Sequence, residues 1–200
     1  MKKKTKIIIL GGSSFVGIHL SNLLKKEFKI TSTFFKQKIR LSKLIETHKF
    51  NFKDKTFFNK LKKFDFIIHL ATQKELLSQK KNFKYEKLFF NKITDYCIKE
   101  NKNFIYLSSS LVYKNKEKNY ETSKKLDHHK NEYINSKIIF DKIIINKIKK
   151  GLKVLMLRIP SIYGTKLENI KLINLNKKNL LLNKTINFYR SKNNYIRFVH

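Results

Sequence analysis

The chain has a single cysteine, a single proline, a single alanine and no tryptophan. One cysteine, Cys97, cannot close an internal disulfide, which excludes a disulfide scaffold and points to a reducing compartment. Cys97 is expected to be a small buried apolar residue. Acidic residues are scarce as well: 14 Asp and Glu stand against 46 Lys and Arg, for a formal net charge of +32. Long hydrophobic runs are missing. The apolar stretch behind Met1-Lys2-Lys3-Lys4 ends at Leu10, short of the roughly 7–15 residues of a signal-peptide core. No run approaches the roughly 18 residues that cross a bilayer. The expectation is a soluble, cytoplasmic protein with no membrane partner; its 200 residues suffice for one domain with a real core.

Arginine is also rare, and that absence bears on the charge. Of the 46 basic residues 42 are lysine, and asparagine occurs 20 times. Lysine, asparagine and isoleucine have AT-rich codons, whereas alanine, proline, glycine and most arginine codons are GC-rich, so the composition reads as drift in an AT-rich genome. A surface built to read nucleic acid favours arginine for bidentate contacts to bases and phosphates. The lysines are spread over the whole length, so a solvated basic surface is expected and a nucleic-acid partner is not. Glycine is limited to Gly11, Gly12, Gly17, Gly151 and Gly164. In so glycine-poor a chain each survivor is expected where no other residue serves.

What is present alternates between two periodicities. Ile7 to Leu10 reads as a buried strand, Phe15 to Phe28 as a helix, and Ile30 to Phe35 as a β-branched and aromatic strand. A short strand near Phe50 to Phe52 precedes a short helix through Phe57, Phe58 and Leu61. Phe64 to Leu70 is a buried strand, Tyr85 to Lys99 a long amphipathic helix, and Phe104 to Ser108 the next strand. After a polar loop, Glu132 to Lys150 is helical, Gly151 ends that helix, and Val154 to Leu157 is a strand. Lys166 to Lys184 reads as irregular or helical. Strands alternating with helices imply βαβ units: an α/β fold with a doubly wound parallel sheet covered on both faces.

Three of the five glycines fall in Leu10-Gly-Gly-Ser-Ser-Phe-Val-Gly17, directly after the first strand. Backbone amides at the start of the following helix, together with its dipole, suit a pyrophosphate. Gly11 would allow the tight turn and Gly17 the close packing of helix on strand, while Ser14 adds a side chain at the middle position. A second feature is Tyr133-Ile-Asn-Ser-Lys137: four residues apart on a helix share a face, so the ammonium would lower the phenol's pKa and make Tyr133 a general acid/base. Tyr120-Glu-Thr-Ser-Lys124 fits the same spacing, and with nine tyrosines among 42 lysines chance supplies such pairs. Spacing does not choose between them. No metal-ligating set is identified.

Taken in order, the segments resemble the extended short-chain dehydrogenase/reductase family, the NAD(P)-dependent epimerases and dehydratases acting mainly on nucleotide sugars. G-G-S-S-F-V-G resembles its G-x-x-G-x-x-G loop, F-D-F-I-I-H-L-A-T its D-x-V-x-H-x-A strand, F-I-Y-L-S-S-S-L-V-Y its serine-bearing strand, and R-I-P-S-I-Y-G its R-x-x-x-x-Y-G segment. The resemblance implies a Rossmann-type fold, and its serine-to-tyrosine separation matches Ser109 to Tyr133, not Ser109 to Tyr120. It implies Tyr133 as acid/base, Lys137 tuning it and holding the nicotinamide ribose, Ser109 bonding the reacting oxygen, and Asn91 as a supporting residue. It implies a cofactor site of Gly11, Ser13, Ser14, Phe15, Val16, Gly17, Lys36, Asn51, Phe52, Leu70, Ala71, Thr72, Lys137 and Pro160, with Ser110 and Ser161 contacting substrate.

The departures are informative. The second strand ends Phe34-Phe35-Lys36, with Arg40 nearby and no carboxylate for an NAD ribose, so NADP is favoured over NAD. Asn51 stands where the family often has an aspartate. Phe198-Val199-His200 resembles a family phrase that continues into the sugar-binding lobe. The expected organisation is therefore a dinucleotide-binding domain over residues 1–164 and, over 165–200, the start of an incomplete C-terminal substrate lobe. The resemblance implies a nucleotide-sugar substrate and a homodimer. A non-catalytic dinucleotide-binding protein of the same fold, and less favoured a basic nucleic-acid binder, are the alternatives.

Overall fold

The computed structural model describes residues 4–35, 41–54, 56–71, 80–114, 119–162, 182 and 198–199. β1 (Lys6–Leu10) carries four consecutive apolar residues because it is buried on both faces. Alternation along the strand divides them. Ile7 and Ile9 pack with Ile30 and Ile68 beneath Leu20 and Leu24 of α1 (Phe15–Leu24). Ile8 and Leu10 enter the larger core on the other face, with Phe50, Phe57, Phe89, Phe104 and Phe140.

β2 (Lys29–Phe34), β3 (Glu46–Lys49), β4 (Phe66–His69), β5 (Asn103–Ser109) and β6 (Val154–Ile159) complete one six-stranded sheet in the order β3-β2-β1-β4-β5-β6. Every neighbouring pair is parallel. α2 (Phe57–Leu61), α3 (Lys80–Lys99) and α4 (Glu132–Ile148) contribute to the core on the face opposite α1. This is the doubly wound Rossmann order, in which the connections leave β1 in opposite directions and open a crevice at the carboxyl ends of β1 and β4.

Buried β2 is hydroxyl-rich rather than apolar. Thr31 donates to Glu46 at 3.0 Å, Ser32 meets Ser21 of α1 at 3.3 Å, and Thr33 accepts from the Gly11 amide at 3.1 Å. The small side chains let α1 lie close to the sheet.

Boundaries differ from the sequence reading in several places. The strand expected near Phe50–Phe52 lies earlier, at Glu46–Lys49. Phe50 and Phe52 follow it as core aromatics, with the Phe50 ring 4.3 Å from Phe57 and 5.0 Å from Phe89. The first helix stops at Leu24, four residues early, and α3 begins at Lys80 instead of Tyr85. Gly151, with φ at +91°, lies just beyond α4 as expected. A short parallel pair, β7 (Ser161–Ile162) with β8 (Phe198–Val199), was not anticipated. Of the stretch 166–184 only Leu182 is among the described residues.

Candidate functional site

The glycine loop is fixed by close approach rather than by flexibility alone. A Cβ on Gly11, whose φ is +85°, would stand 2.7 Å from the Ala71 nitrogen; one on Gly12 would stand 1.7 Å from the Ser32 hydroxyl. On Gly17 it would meet the Gly11 carbonyl oxygen at 2.5 Å. Ser14 caps α1: its hydroxyl donates to the Gly11 carbonyl at 2.7 Å and accepts from the Gly17 amide at 3.1 Å. Its backbone lies at φ −72° and ψ 163°, open to any residue, so the middle position has no conformational need for glycine. The amides of Phe15 and Val16, in the first turn of the helix, have no intrahelical acceptor and carry the positive end of the dipole.

Beside the loop lies a cleft of about 170 Å3 at the carboxyl ends of β1, β2, β3 and β4. Gly11, Ser13, Ser14, Phe52, Leu70 and Ala71, which the resemblance offers as cofactor residues, line it together with Thr33, Phe34, Phe35 and Phe50, which the sequence reading does not name. A bare cradle with first-turn amides and an aromatic-walled cleft fits the pyrophosphate and adenosine of a dinucleotide. Asn51 is exposed just outside the lining, where its side chain accepts from the Lys53 amide at 3.1 Å. Lys36, Arg40 and Thr72 lie outside the described residues. Pro160 is half-buried between β6 and β7.

The second half of the site forms where β5 ends. Ser109 is buried, and its hydroxyl accepts from the Leu111 amide at 3.2 Å, starting the single turn Ser110–Val112. Asn131 caps α4 by accepting from the amides of Tyr133 and Ile134, which fixes Tyr133 in the first turn. One turn on, Lys137 is buried and donates to the Leu107 carbonyl at 2.8 Å. Its ammonium lies 5.7 Å from the centre of the Tyr133 ring and 5.0 Å from that of Tyr106. Burial pushes the Tyr133 phenol above its ordinary value. Tyr120 is exposed in a turn, not on a helix, so of the two Tyr-x-x-x-Lys pairs only Tyr133 and Lys137 share a helical face.

Buried charges tie this corner together. Asp141 accepts from Ser108 at 2.6 Å with one oxygen and from Arg158 Nε at 2.7 Å with the other; Arg158 also donates to the Tyr113 hydroxyl at 3.2 Å. Asn91 is not drawn into the site: its amide donates to the Lys87 carbonyl of its own helix. On that helix it is Glu86, with no exposed surface, whose charge couples to Lys137. Its signal in the sequence is a lone carboxylate on the stripe Phe83, Glu86, Phe90, Ile93, Cys97, where a helix bound for a core should be apolar. His69 is buried among Phe89, Phe90, Phe104 and Tyr106. Among the described residues no group of His, Cys, Asp or Glu could hold a metal ion, and no helix is long and apolar enough to cross a membrane.

Residues 7–200 match the model of the NAD dependent epimerase/dehydratase family. The chain belongs to that family. It is 35% identical over 125 residues to the bifunctional polymyxin resistance protein ArnA of Wigglesworthia glossinidia brevipalpis, a match covering 56% of this chain and 19% of that protein. The chain thus spans about a fifth of the length of that curated relative. Among solved structures it resembles the UDP-N-acetylglucosamine 4-epimerase of Methanobrevibacter ruminantium M1, in complex with UDP-N-acetylmuramic acid, at a TM-score of 0.83 and 19% identity. That likeness covers 100% of this chain and 69% of the other. The UDP-glucuronic acid 4-epimerase of Bacillus cereus, with UDP-glucuronic acid and NAD, superposes at 0.74 and 18% identity, covering 90% and 64%. These structural likenesses confirm the Rossmann-type fold.

Proposed function

We propose that this chain is the cofactor-binding and catalytic part of an enzyme that reduces, epimerises or dehydrates a nucleotide-activated sugar, with Tyr133 as acid/base. The reading rests on Lys137, which reaches the Leu107 carbonyl with the Tyr133 ring beside its ammonium, near the end of the strand that carries Ser109 and at the same end of the sheet as the capped glycine loop.

A bound nicotinamide dinucleotide would supply the acceptor or donor of hydride. The amides of Ser13, Phe15 and Val16 would hold its pyrophosphate, with Gly11 and Gly17 leaving room for the approach. Phe34, Phe35, Phe50, Phe52, Leu70 and Ala71 would wall its adenosine. No acidic side chain lines that cleft among the described residues, Lys36 follows Phe35 in sequence and Arg40 comes four residues later, which favours NADP over NAD. Tyr133 would exchange a proton with the sugar hydroxyl at its phenolic oxygen, and Ser109 would hydrogen-bond the same sugar oxygen. Lys137, as an ammonium, would lower the cost of the phenolate and hold the nicotinamide ribose. Asn51, Thr72 and Pro160 would border the cofactor, and Ser110 and Ser161 the sugar. Residues 1–164 form the dinucleotide half in this reading and 165–200 begin the substrate lobe, with a cytoplasmic homodimer as the working form.

The test is turnover of a panel of UDP-sugars by the wild type and by Tyr133→Phe, with NADPH and NADH titrated by fluorescence. General acid/base work is worth about 10²–10⁴-fold in rate, so Tyr133→Phe should lose at least that while nucleotide affinity holds. Unchanged turnover overturns the assignment, and tighter NADH than NADPH overturns the cofactor preference.

A further inference from the structure

We infer that Glu86 is a positioning residue for Lys137: a buried carboxylate on α3 that keeps the lysine an ammonium beneath Tyr133. Its bearing on turnover rests on the function proposed above; the pairing itself rests on the fold.

Crossover helices between parallel strands run in the same direction, so α3 and α4 are parallel. Phe90 of α3 stacks on Phe140 of α4 with ring centres 4.4 Å apart and an interplanar angle of 18°. Glu86 lies one turn before Phe90 and Lys137 one turn before Phe140, which brings them to the same level between the helices. Glu86 has no exposed surface and Lys137 is 3% exposed. Neither Glu86 oxygen has a hydrogen-bond partner among the described residues.

The surrounding groups leave Glu86 this role. α4 presents Tyr133 and Asp141, β4 presents His69, β5 presents Tyr106 and Ser108, and β6 presents Arg158. Asp141 has both oxygens committed, to Ser108 and to Arg158, and its charge is balanced by that guanidinium. His69 is neutral, held down to about 3 by burial and by the Lys137 charge. Tyr106 and Tyr133 are both pushed up by burial and remain phenols. Glu86 is therefore the buried anion not balanced elsewhere among the described residues. Burial pulls Lys137 down to about 8, opposed by Glu86 and Asp141, and pushes Glu86 up to about 7, opposed by Lys137. The two titrate as one coupled pair in the neutral range. A buried amine without an anion sheds its proton instead.

Lysine labelled with 13C at Cε and glutamate labelled at Cδ report both partners by NMR titration. The lysine signal that disappears in Lys137→Met should titrate near 8 in the wild type. In Glu86→Gln it should fall by at least about one pH unit, the usual effect of removing a neighbouring opposite charge, and Glu86→Asp should bring it back toward the wild type. By reciprocity the Glu86 signal should titrate higher in Lys137→Met. A Lys137 midpoint unmoved by Glu86→Gln overturns the pairing. So does a Glu86 midpoint unmoved by Lys137→Met, and that arm decides alone if Glu86→Gln does not fold. These titrations need neither cofactor nor substrate, so they stand apart from the fate of the enzymatic reading. In turnover, Glu86→Gln should move the alkaline limb of the kcat profile to lower pH. A limb that stays in place while the rate falls at every pH indicates a packing role and overturns the effect on turnover.

Discussion

Replacing Gly17 by alanine sets two effects of opposite sign against each other. In an exposed helix interior the change is favourable by about 0.8–1.0 kcal/mol. At Gly17 the added Cβ would stand 2.5 Å from both the Gly11 carbonyl oxygen and the Gly12 Cα, and 2.7 Å from the Gly12 carbonyl carbon. All three are backbone atoms, so no rotamer relieves the clash; either α1 lifts from the sheet or the loop shifts. Overpacking of this kind costs about 1–3 kcal/mol, which leaves a net loss of up to about 2 kcal/mol once propensity is subtracted. At this chain length each kcal/mol lowers Tm by roughly 2–4 °C. The same displacement moves the first-turn amides, so nucleotide affinity should fall together with stability. Urea unfolding followed by circular dichroism and an NADPH titration measure the two. Gly151→Ala is the control. Its φ of +91° is strained for alanine, but nothing lies within 4 Å of the added Cβ. It should cost about 1–2 kcal/mol from backbone conformation alone and leave nucleotide affinity unchanged. A Gly17→Ala protein as stable as the wild type, with undiminished affinity, refutes the reasoning.

Ser14→Ala removes the cap on α1 and should cost about 1 kcal/mol, whereas Ser14→Gly should cost only a few tenths; equal losses in urea midpoints would show that the hydroxyl is not the cap. His69 is held down to about 3 from an ordinary 6.5, so the unfolded chain binds the extra proton and stability drains away as pH falls from 6.5 to 3. Glu86, raised from 4.5 to about 7, acts oppositely and loses its contribution as pH rises through that window. The two offset each other between 4.5 and 6.5, and the His69 loss stands alone below 4.5. Neither His69 nitrogen has a hydrogen-bond partner on another described residue. His69→Phe should therefore keep its stability at neutral pH and move acid unfolding to lower pH, and an unmoved acid midpoint by circular dichroism would contradict this.

The order of strands and helices is legible because the buried runs are dense in isoleucine and phenylalanine and Gly11, Gly12 and Gly151 mark turns. β3 was misplaced because the aromatic signal belonged to Phe50 and Phe52, which pack into the core after the strand ends, while Glu46-Thr-His-Lys49 on the sheet edge shows no apolar pattern. At the candidate site, Ser109, Tyr133 and Lys137 are what the family resemblance implies, since spacing alone does not choose between the two Tyr-x-x-x-Lys pairs. Ser14 reads as a departure at the middle position of the loop, and its use as a helix cap is not legible in sequence, since a hydroxyl's partner is set by three dimensions. The family pattern points to Asn91, whereas Glu86, a carboxylate on an apolar stripe, is the stronger physical signal.

The strand order has a consequence for how the molecule is made. Of these six strands β1 comes first along the chain, and it lies inside the sheet. β2 joins one side of it and β3 joins β2; β4 takes the other side, and β5 and β6 each add to the strand before them. Each arriving strand therefore finds an open edge, and none has to be threaded between two that have already paired. A chain emerging N-terminus first can thus assemble its sheet in the order of synthesis, and each strand added covers an edge that would otherwise stay open to other chains.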